Sequence, residues 1–456
     1  MLEMFRRLLG GAPAPEPEAQ DAFRQLNAVA PLKPVRDGVV AAGETQSFIC
    51  REAVLNRDER ISGYLFTMRQ KLSTRMLEKS AMLQRVHDEA VLGNIAQLDV
   101  LSLLGHRDAF IHLAPASLKN PLLKQFSRKN VVIMITAEAL TEAGLAELRD
   151  GLKRLREMDI KHGWTLRRMH PEINEFLPEA EFVEVESVAF DAAQLKAICR
   201  EIRTISKNLK IIASGLQASD EFKLCYHSGF DQFMGPFVSS RENWHPAKSE
   251  INRLRVIEVL NMIRRGAEFD VIAEALRTES VLTFKLLRYI NSPGLGLLQK
   301  ISEIPQALMV LGRDRFYRWL SMLLFDSDRP GYHERVLNEQ VLARARFLEM
   351  LAGQGRVPME PDHLFMAGLF SMLDVMMDQP LEKILKQIAL PDQVAAALQG
   401  QPGAMHDAMK LAIAVESGTT DEMATAAKRC DLDANVVTPT MIEALAWAQQ
   451  AGAAGE

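Results

Sequence analysis

The chain has 456 residues, of which 48% are hydrophobic and 25% are charged, and its formal net charge at pH 7 is -5. This length and composition are typical of a folded protein with two or three domains, and the weak negative charge argues against a broad surface for nucleic acid or anionic membranes. The four cysteines lie far apart without a C-x-x-C pair, which predicts reduced thiols and a cytoplasmic location.

Residues 1–44 are predicted to form a flexible N-terminal segment and linker. The segment begins MLEMFRRLLGG and continues into the Pro- and Ala-rich run GAPAPEPEAQ. Neither this start nor any later run has the apolar core of a secretory signal or the roughly 18 uninterrupted apolar residues that a membrane helix requires. Stable membrane insertion is therefore not expected.

Residues 45–240 alternate short apolar, β-rich runs with longer helical segments. The runs SFICREAVL and ISGYLFTMR flank a polar connection at 56–59, which predicts a β-hairpin. Apolar strands alternating with helices predict a parallel sheet covered by helices, and about eight strands in this length favour a TIM-like α/β barrel over an open sheet. The six further strands are predicted at 109–113, 131–135, 164–168, 182–186, 210–213 and 231–235.

The polar segment 241–250 is predicted to be a linker, and residues 251–456 are predicted to form an all-α domain. Apolar residues recur at helical spacing, and the turn-forming cluster 291–294 ends one of the helices. Ser302 is predicted to cap the next helix, with Pro305 in its first turn. Later helices are predicted near 334–354, 360–377, 392–398, 403–416, 419–428 and 438–450.

Motifs in both halves resemble known families. The run YINSPGLGLLQKISEIPQALMVLGRDRFYRWLSMLLF at 289–325 resembles a hallmark stretch of HDOD domains, and DQPLEKIL and EALAWA extend the resemblance. In the first half, GYLFTMR, AFIHL, FVEVES, KIIASGLQASDEF and GFDQFMGPFVSS resemble an EAL domain, the barrel that in active members cleaves cyclic di-GMP. The resemblance implies an EAL-type barrel followed by an HDOD domain, an arrangement known in bacterial signalling proteins.

The resemblance also implies that the barrel has lost its catalytic residues. Cleavage of a phosphodiester by this type of barrel requires acidic oxygens that hold divalent metals. The signature Glu of the family corresponds to Leu65 and its catalytic Lys to Glu184, while Glu186 keeps the family's acid. A degenerate barrel without metal or cofactor is expected, and its vestigial positions are Leu65, His112, Met134, Met169, His170, Glu184, Glu186, Ser214, Gln217 and Met234.

Two alternatives keep a ligand at this barrel. Arg69 matches the position at which family members contact a phosphate, so the first alternative is a metal-independent receptor for cyclic di-GMP. The second is a phosphodiesterase with a rebuilt metal site made of His112, His170, Glu184 and Glu186. In the absence of a metal, Arg167 or Arg168 is the expected charge partner of the two glutamates.

Other sequence cues for enzymes are missing. Of the two His-Asp dipeptides, His87-Asp88 lies in the barrel half and His406-Asp407 lacks the further histidines of an HD metal cluster, so both are interpreted as chance. Nucleotide-binding glycine loops, G-x-S-x-G and H-E-x-x-H are also missing from the sequence. An enzyme is therefore not expected.

The segment 313–320, RDRFYRWL, combines arginines with aromatic residues. This composition fits either a surface for nucleic acid or an acidic partner, or an ordinary amphipathic helix. Helical spacing favours the second interpretation, with Phe316, Trp319 and Leu320 in the core and the arginines on a solvated face. Nucleic acid is therefore not an expected partner.

Together these features predict a non-catalytic signal-transduction or scaffold protein related to cyclic di-GMP networks. A barrel without catalytic activity can act only through binding, so signalling proteins that contact the HDOD domain are the expected partners. The sequence leaves their identity open, together with the oligomeric state, for which a homodimer is one alternative.

Overall fold

The computed structural model describes residues 48–68, 81–97, 107–127, 130–136, 142–166, 174–238, 251–291, 300–326 and 330–453. The chain divides into two compact units. The described part of one lies within Ser249–Asp326 and Glu382–Leu390, and that of the other within Ser47–Lys248, Ser327–Leu381 and Pro391–Glu456. The predicted segments 1–44 and 241–250 lie outside the described residues, and the predicted domain boundaries stay a prediction. None of the helices in the described ranges is long and apolar enough to cross a membrane.

Eight strands close into a barrel in chain order, which confirms the predicted α/β barrel. β1 and β2 form the predicted antiparallel hairpin, the strands from β2 to β8 are parallel neighbours, and β1 closes the barrel against β8. The Asn56 side chain holds the hairpin turn by accepting hydrogen bonds from the backbone N–H groups of Asp58 and Arg60. The strands are β1 (Cys50–Asn56), β2 (Ile61–Thr67), β3 (Asp108–Leu113), β4 (Val131–Thr136), β5 (Lys161–Leu166), β6 (Phe182–Glu186), β7 (Lys210–Ser214) and β8 (Gln232–Met234).

Helices connect the parallel strands on the outside of the barrel. They are α1 (Ala81–Gln97), α2 (Glu142–Glu157), α3 (Ala192–Ile205) and α4 (Ser219–Ser228). The strand predicted at 164–168 begins earlier, at Lys161, because sheet pairing and an ion pair of Lys161 with Asp108 at 2.9 Å outweigh the weak β propensity of these first residues. Arg167 and Arg168 lie outside the described residues.

Large apolar side chains fill the barrel interior. The rings of Phe110 and Phe182 meet edge to face with centroids 5.3 Å apart. Two glycines make room for them: a Cβ on Gly63 would lie 2.4 Å from the Asp108 carbonyl oxygen, and one on Gly163 would lie 2.6 Å from the Phe182 carbonyl oxygen. This interior cluster consists of Val54, Leu65, Phe110, Val132, Met134, Phe182, Ile212 and Met234.

The rest of the described chain is helical, as predicted. Ser302 is not the cap of its helix, because the chain stays extended through Glu303 after Ile301 is tied to the Asn291 side chain. The helix predicted at 360–377 is observed as two helices that are separated at Ser371. The Ser371 hydroxyl donates a hydrogen bond to the Gly368 carbonyl at this point. The first helices are α5 (Arg253–Arg264), α6 (Phe269–Arg277), α7 (Ser280–Ile290), α8 (Ile304–Leu311) and α9 (Arg313–Met322). The others are α10 (Tyr332–Gly353), α11 (Pro361–Phe370), α12 (Leu373–Met377), α13 (Leu381–Leu385), α14 (Asp392–Leu398), α15 (Ala404–Ser417), α16 (Thr420–Arg429) and α17 (Ala434–Ala453).

Helices from the end of the chain cover the outer side of the β1–β2 hairpin, where the barrel has no connecting helix of its own. The Tyr64 hydroxyl, on the outside of β2, donates to the Glu339 carboxylate of α10. Arg107 donates two further hydrogen bonds to Glu339, at 2.9 and 2.8 Å. Nearby, the ring of Tyr332 packs against Phe222 with a centroid separation of 5.2 Å. The Glu339 cluster, which is Tyr64, Arg107 and Glu339, thus ties α10 to the barrel wall within one compact unit.

Candidate functional site at the barrel mouth

The mouth at the carboxyl ends of the parallel strands is where α/β barrels place catalytic groups. Three of the positions that the EAL resemblance assigns to acids or polar groups carry Leu65, Met134 and Met234, whose exposed fractions are 6%, 1% and 3%. All three belong to the interior cluster. Since Mg²⁺ and Mn²⁺ bind oxygen ligands, these side chains do not fit a divalent-metal site.

A His–Glu pair occupies the centre of the polar part of the mouth. His112 Nε2, on β3, lies 2.6 Å from Glu184 Oε2, on β6. The Thr165 hydroxyl donates to the same carboxylate oxygen at 3.1 Å from the adjacent strand β5, where its register is opposite Glu184. The Glu184 side chain is 5% exposed and that of His112 is 31% exposed, so a buried carboxylate orients an imidazole that reaches the opening.

Glu184 carries a negative charge in spite of its burial. Burial by itself would raise the pKa of the Glu184 carboxyl, but the charge and the hydrogen bond of His112, with hydroxyl donors from Ser214 and Thr165, lower the pKa below its ordinary value. The carboxylate is therefore ionised near neutral pH. Its hydrogen-bonding capacity is taken up by side chains of the mouth itself.

The remaining described positions carry weak ligands or bond to their own loops. Ser214 is buried, and its hydroxyl, which donates to Glu184, also lies 3.4 Å from the Val185 carbonyl oxygen. Gln217 is exposed and donates to the Gly215 carbonyl at 3.0 Å. Glu186 ends β6 in a half-buried position opposite Ser214. The mouth therefore presents hydroxyl, amide and imidazole groups around two carboxylates.

Several predicted site residues lie outside the described residues: Arg69, Met169 and His170. The same holds for the expected charge partners Arg167 and Arg168. Within the described ranges, no group of three or more His, Cys, Asp or Glu side chains is placed to hold a metal ion. A two-metal centre needs more acidic ligands than Glu184 and Glu186 supply.

Sequence reasoning identified the positions at the mouth but missed their pairing. His112 and Glu184 were grouped as candidate metal ligands, whereas the structure joins them directly. Thr165 was not singled out, although its strand register would have placed it beside Glu184. The Glu339 cluster was missed altogether because Glu339 lies more than 200 positions from Tyr64 and from Arg107.

The His-Asp dipeptides have different surroundings. Asp88 is buried and accepts a hydrogen bond from the Ala114 backbone N–H at 3.0 Å, so it fixes the segment after β3. His87 contacts Asp88 and the Met68 carbonyl, and the hydrogen bond to Asp88 raises the pKa of its imidazole despite burial. His406 and Asp407 are both half-buried. The His87-Asp88 pair therefore has a structural explanation.

The segment 313–320 is confirmed as part of a helix that buries Phe316, Trp319 and Leu320. The expectation of a solvated arginine face is wrong for Arg318, which is 7% exposed. Arg318 lies in α9 within a run of buried residues that extends from Phe316 to Ser321. Long Arg side chains can bury their carbon stem in this way.

Residues 253–396 match the family model described as "HDOD domain", so this part of the chain is an HDOD domain and the predicted resemblance is confirmed there. Two curated relatives span nearly the whole chain. A Bacillus subtilis protein, "Uncharacterized protein YuxH", is 24% identical and covers 88% of this chain and 97% of its own. "Cyclic di-GMP phosphodiesterase CdgJ" of Vibrio cholerae is 23% identical and covers 88% of this chain and 92% of its own.

The chain is also similar to solved structures. One is the Xanthomonas citri FimX EAL domain in complex with c-diGMP, at 13% identity and a TM-score of 0.36, covering 52% of this chain and 94% of that one. Another is a Klebsiella pneumoniae BlrP1 calcium/cy-diGMP complex, at 18% identity and a TM-score of 0.34, covering 50% and 68%.

Proposed function

We propose that this protein is a non-catalytic signal-transduction or scaffold protein of cyclic di-GMP networks. It acts in the cytoplasm through protein contacts of its HDOD domain and of a barrel that does not cleave the nucleotide. The link to cyclic di-GMP rests on the EAL resemblance and on the relative named as a phosphodiesterase of that nucleotide.

One observation carries the non-catalytic assignment. Leu65, Met134 and Met234 stand at positions that the resemblance assigns to metal ligands or catalytic groups, and all three are packed into the interior cluster. Replacing oxygen ligands by buried apolar side chains removes both the charge that holds the metals and the space that they would fill. Cleavage depends on water activated by a metal, and these three side chains offer no ligand to such a metal.

The ion pair at the mouth supports the same assignment. In a working site a carboxylate is positioned toward a metal or a reacting water, whereas Glu184 is bonded to His112 and Thr165. If the barrel is inert, signal transfer depends on binding, through partners that contact the HDOD domain or the barrel.

The test is hydrolysis of cyclic di-GMP by the purified full chain with Mg²⁺ or Mn²⁺, followed by chromatography of the products. CdgJ of Vibrio cholerae, assayed in parallel, serves as the positive control. We expect no linear dinucleotide above the buffer background. Turnover that is removed by a chelator and by Glu184→Gln would overturn the proposal and favour a rebuilt metal site.

A metal-independent receptor for cyclic di-GMP is the second candidate, and the observation that favours it is the oriented, partly exposed imidazole of His112. A protonated imidazole can donate to a phosphate without metal. Calorimetry with cyclic di-GMP in the presence of a chelator tests this candidate. Binding that is lost in both His112→Ala and Arg69→Ala would support a receptor, and the lack of heat at tens of micromolar nucleotide, roughly -6 kcal/mol of binding free energy, would exclude it.

A further inference from the structure

One corner of the HDOD domain brings together side chains that the proposed function does not use. Helix α5 ends in a tight turn in which Gly266 has a φ of 76°, its N–H bonds the Ile263 carbonyl, and the Ala267 N–H bonds the Met262 carbonyl. This is the pattern of a Schellman motif. The turn brings the start of α6 at Phe269 close to the end of α5 at Arg264.

Helix α9 begins at the same corner. Arg313, its first residue, places its guanidinium carbon 4.9 Å from the centroid of the Phe269 ring. Tyr317 follows one turn later on the same face, and Arg264 places its guanidinium carbon 5.9 Å from the centroid of the Tyr317 ring. Each arginine therefore lies against an aromatic ring, Arg313 against Phe269 and Arg264 against Tyr317.

The polar groups of this corner are left without partners inside the described part of the chain. Arg264 and Arg313 make no hydrogen bond or ion pair there beyond their ring contacts. The Nη1 atom of Arg313 and the hydroxyl of Tyr317 are buried without a hydrogen-bond partner among these residues, and Tyr317 as a whole is only 7% exposed. Buried donors without an acceptor are rare in proteins and each needs an explanation.

The hydroxyl and guanidinium donors of this corner keep their protons at neutral pH. Burial raises the pKa of the Tyr317 phenol to about 12, against the smaller opposite effect of the Arg264 charge, so the hydroxyl keeps its proton. Guanidinium groups keep theirs at any physiological pH. The N-terminus of α9 adds partial positive charge, since its cap residue Gly312 has no side chain that could bond the first N–H groups.

We propose that Arg264, Arg313 and Tyr317 form a binding site for a single phosphate group. Two guanidinium groups, a hydroxyl donor and the N-terminus of the ten-residue helix that begins at Arg313 match a phosphate group, which carries up to two negative charges, better than a carboxylate. Glu268, Asp270 and Asp314 are exposed and stand next to Phe269 or Arg313 in the sequence, and no ion pair joins them to either arginine among the described residues. They disfavour an extended polyanion such as nucleic acid, so the ligand is a free phosphate ion or the phosphate of a mononucleotide.

The experiment is calorimetric titration of the full chain with inorganic phosphate in one arm and GMP in the other, at low salt. We expect saturable binding in at least one arm. Arg313→Gln should weaken it about tenfold or more, and Tyr317→Phe, which keeps the ring under Arg264 and removes only the hydroxyl, about threefold or more. Arg277→Gln, which removes the same charge from an exposed pair with Glu274, is the matched control and should change the affinity less than twofold.

The two arms identify the source of the phosphate group. Equal affinity for phosphate and GMP points to the free ion, and tighter binding of GMP points to a nucleotide. The lack of saturable binding in both arms, or the same affinity in Arg313→Gln, Tyr317→Phe and Arg277→Gln, would refute the site. Circular dichroism of each variant shows that it is folded. Since neither arm involves the barrel mouth, the result is independent of the proposed function.

Discussion

Removing the Glu339 carboxylate should destabilise the unit that contains the barrel. Glu339→Ala leaves the Arg107 guanidinium without two charge-assisted hydrogen bonds and the Tyr64 hydroxyl without its acceptor. Arg107 and Glu339 are each 11% exposed, so solvent replaces the lost partner poorly. Breaking a buried pair on one side costs about 3–5 kcal/mol, and the slight exposure places the expected loss near the lower end, about 3 kcal/mol. For a unit of this size that corresponds to a fall in Tm of roughly 5–10 °C.

Thermal unfolding followed by circular dichroism measures this loss. The matched control is Glu147→Ala, because Glu147 forms a salt bridge of similar length, 2.7 Å, with Lys119, but both side chains are more than 40% exposed. Exposed pairs of this kind contribute about 0.5 kcal/mol or less. If Glu339→Ala lowers Tm no more than the control does, the idea that the Glu339 cluster ties α10 to the barrel is wrong.

Three further predictions concern packing, pH and autonomy. Gly163→Ala should lower the free energy of unfolding by several kcal/mol, because the added Cβ would overlap the Phe182 backbone and displace it. The control Gly353→Ala, where a Cβ meets nothing within 4 Å, should leave the free energy of unfolding measured in urea unchanged or slightly higher. Burial lowers the pKa of His162 to about 4. The unfolded chain therefore binds a proton between pH 6.5 and 4 that the folded chain does not bind, and the free energy of unfolding should fall by about 3 kcal/mol as the pH drops through this window. His162→Gln should reduce the slope of the free energy of unfolding against pH. A fragment of residues 251–456 should fail to unfold cooperatively, because α10 packs with the barrel in one compact unit; a sharp, native-like transition of the fragment would contradict this.

The barrel could be predicted because its signals are local. Alternation of apolar runs and helical periodicity marks each strand without knowledge of the others, and seven of the eight predicted strands fall close to the observed ones. The β5 strand starts at Lys161 because of a contact with Asp108 on a strand that precedes it by about 50 residues. A short stretch of sequence around Lys161 does not contain that information.

The candidate site was predictable only position by position. Motif resemblance located Leu65 and Glu184, but the 2.6 Å contact of Glu184 with His112 depends on the register of four strands, β3 to β6. Arg318 shows the same limit in a helix: its type favours solvent, whereas the packing of its helix buries it. Contacts between residues that are far apart in the sequence depend on the closure of the barrel and on helix packing.

The barrel wall and the barrel mouth have changed to different degrees from what the resemblance implies, and the structure gives a physical reason. Residues that build the wall are constrained by close contacts, as in the glycines that admit Phe110 and Phe182. Metal ligands repel one another and gain stability only when the metal is bound, whereas Leu65, Met134 and Met234, at positions that the resemblance assigns to ligands or catalytic groups, extend the apolar interior. Under the proposed function, the barrel wall that is joined to α10 through the Glu339 cluster would serve as a surface for binding.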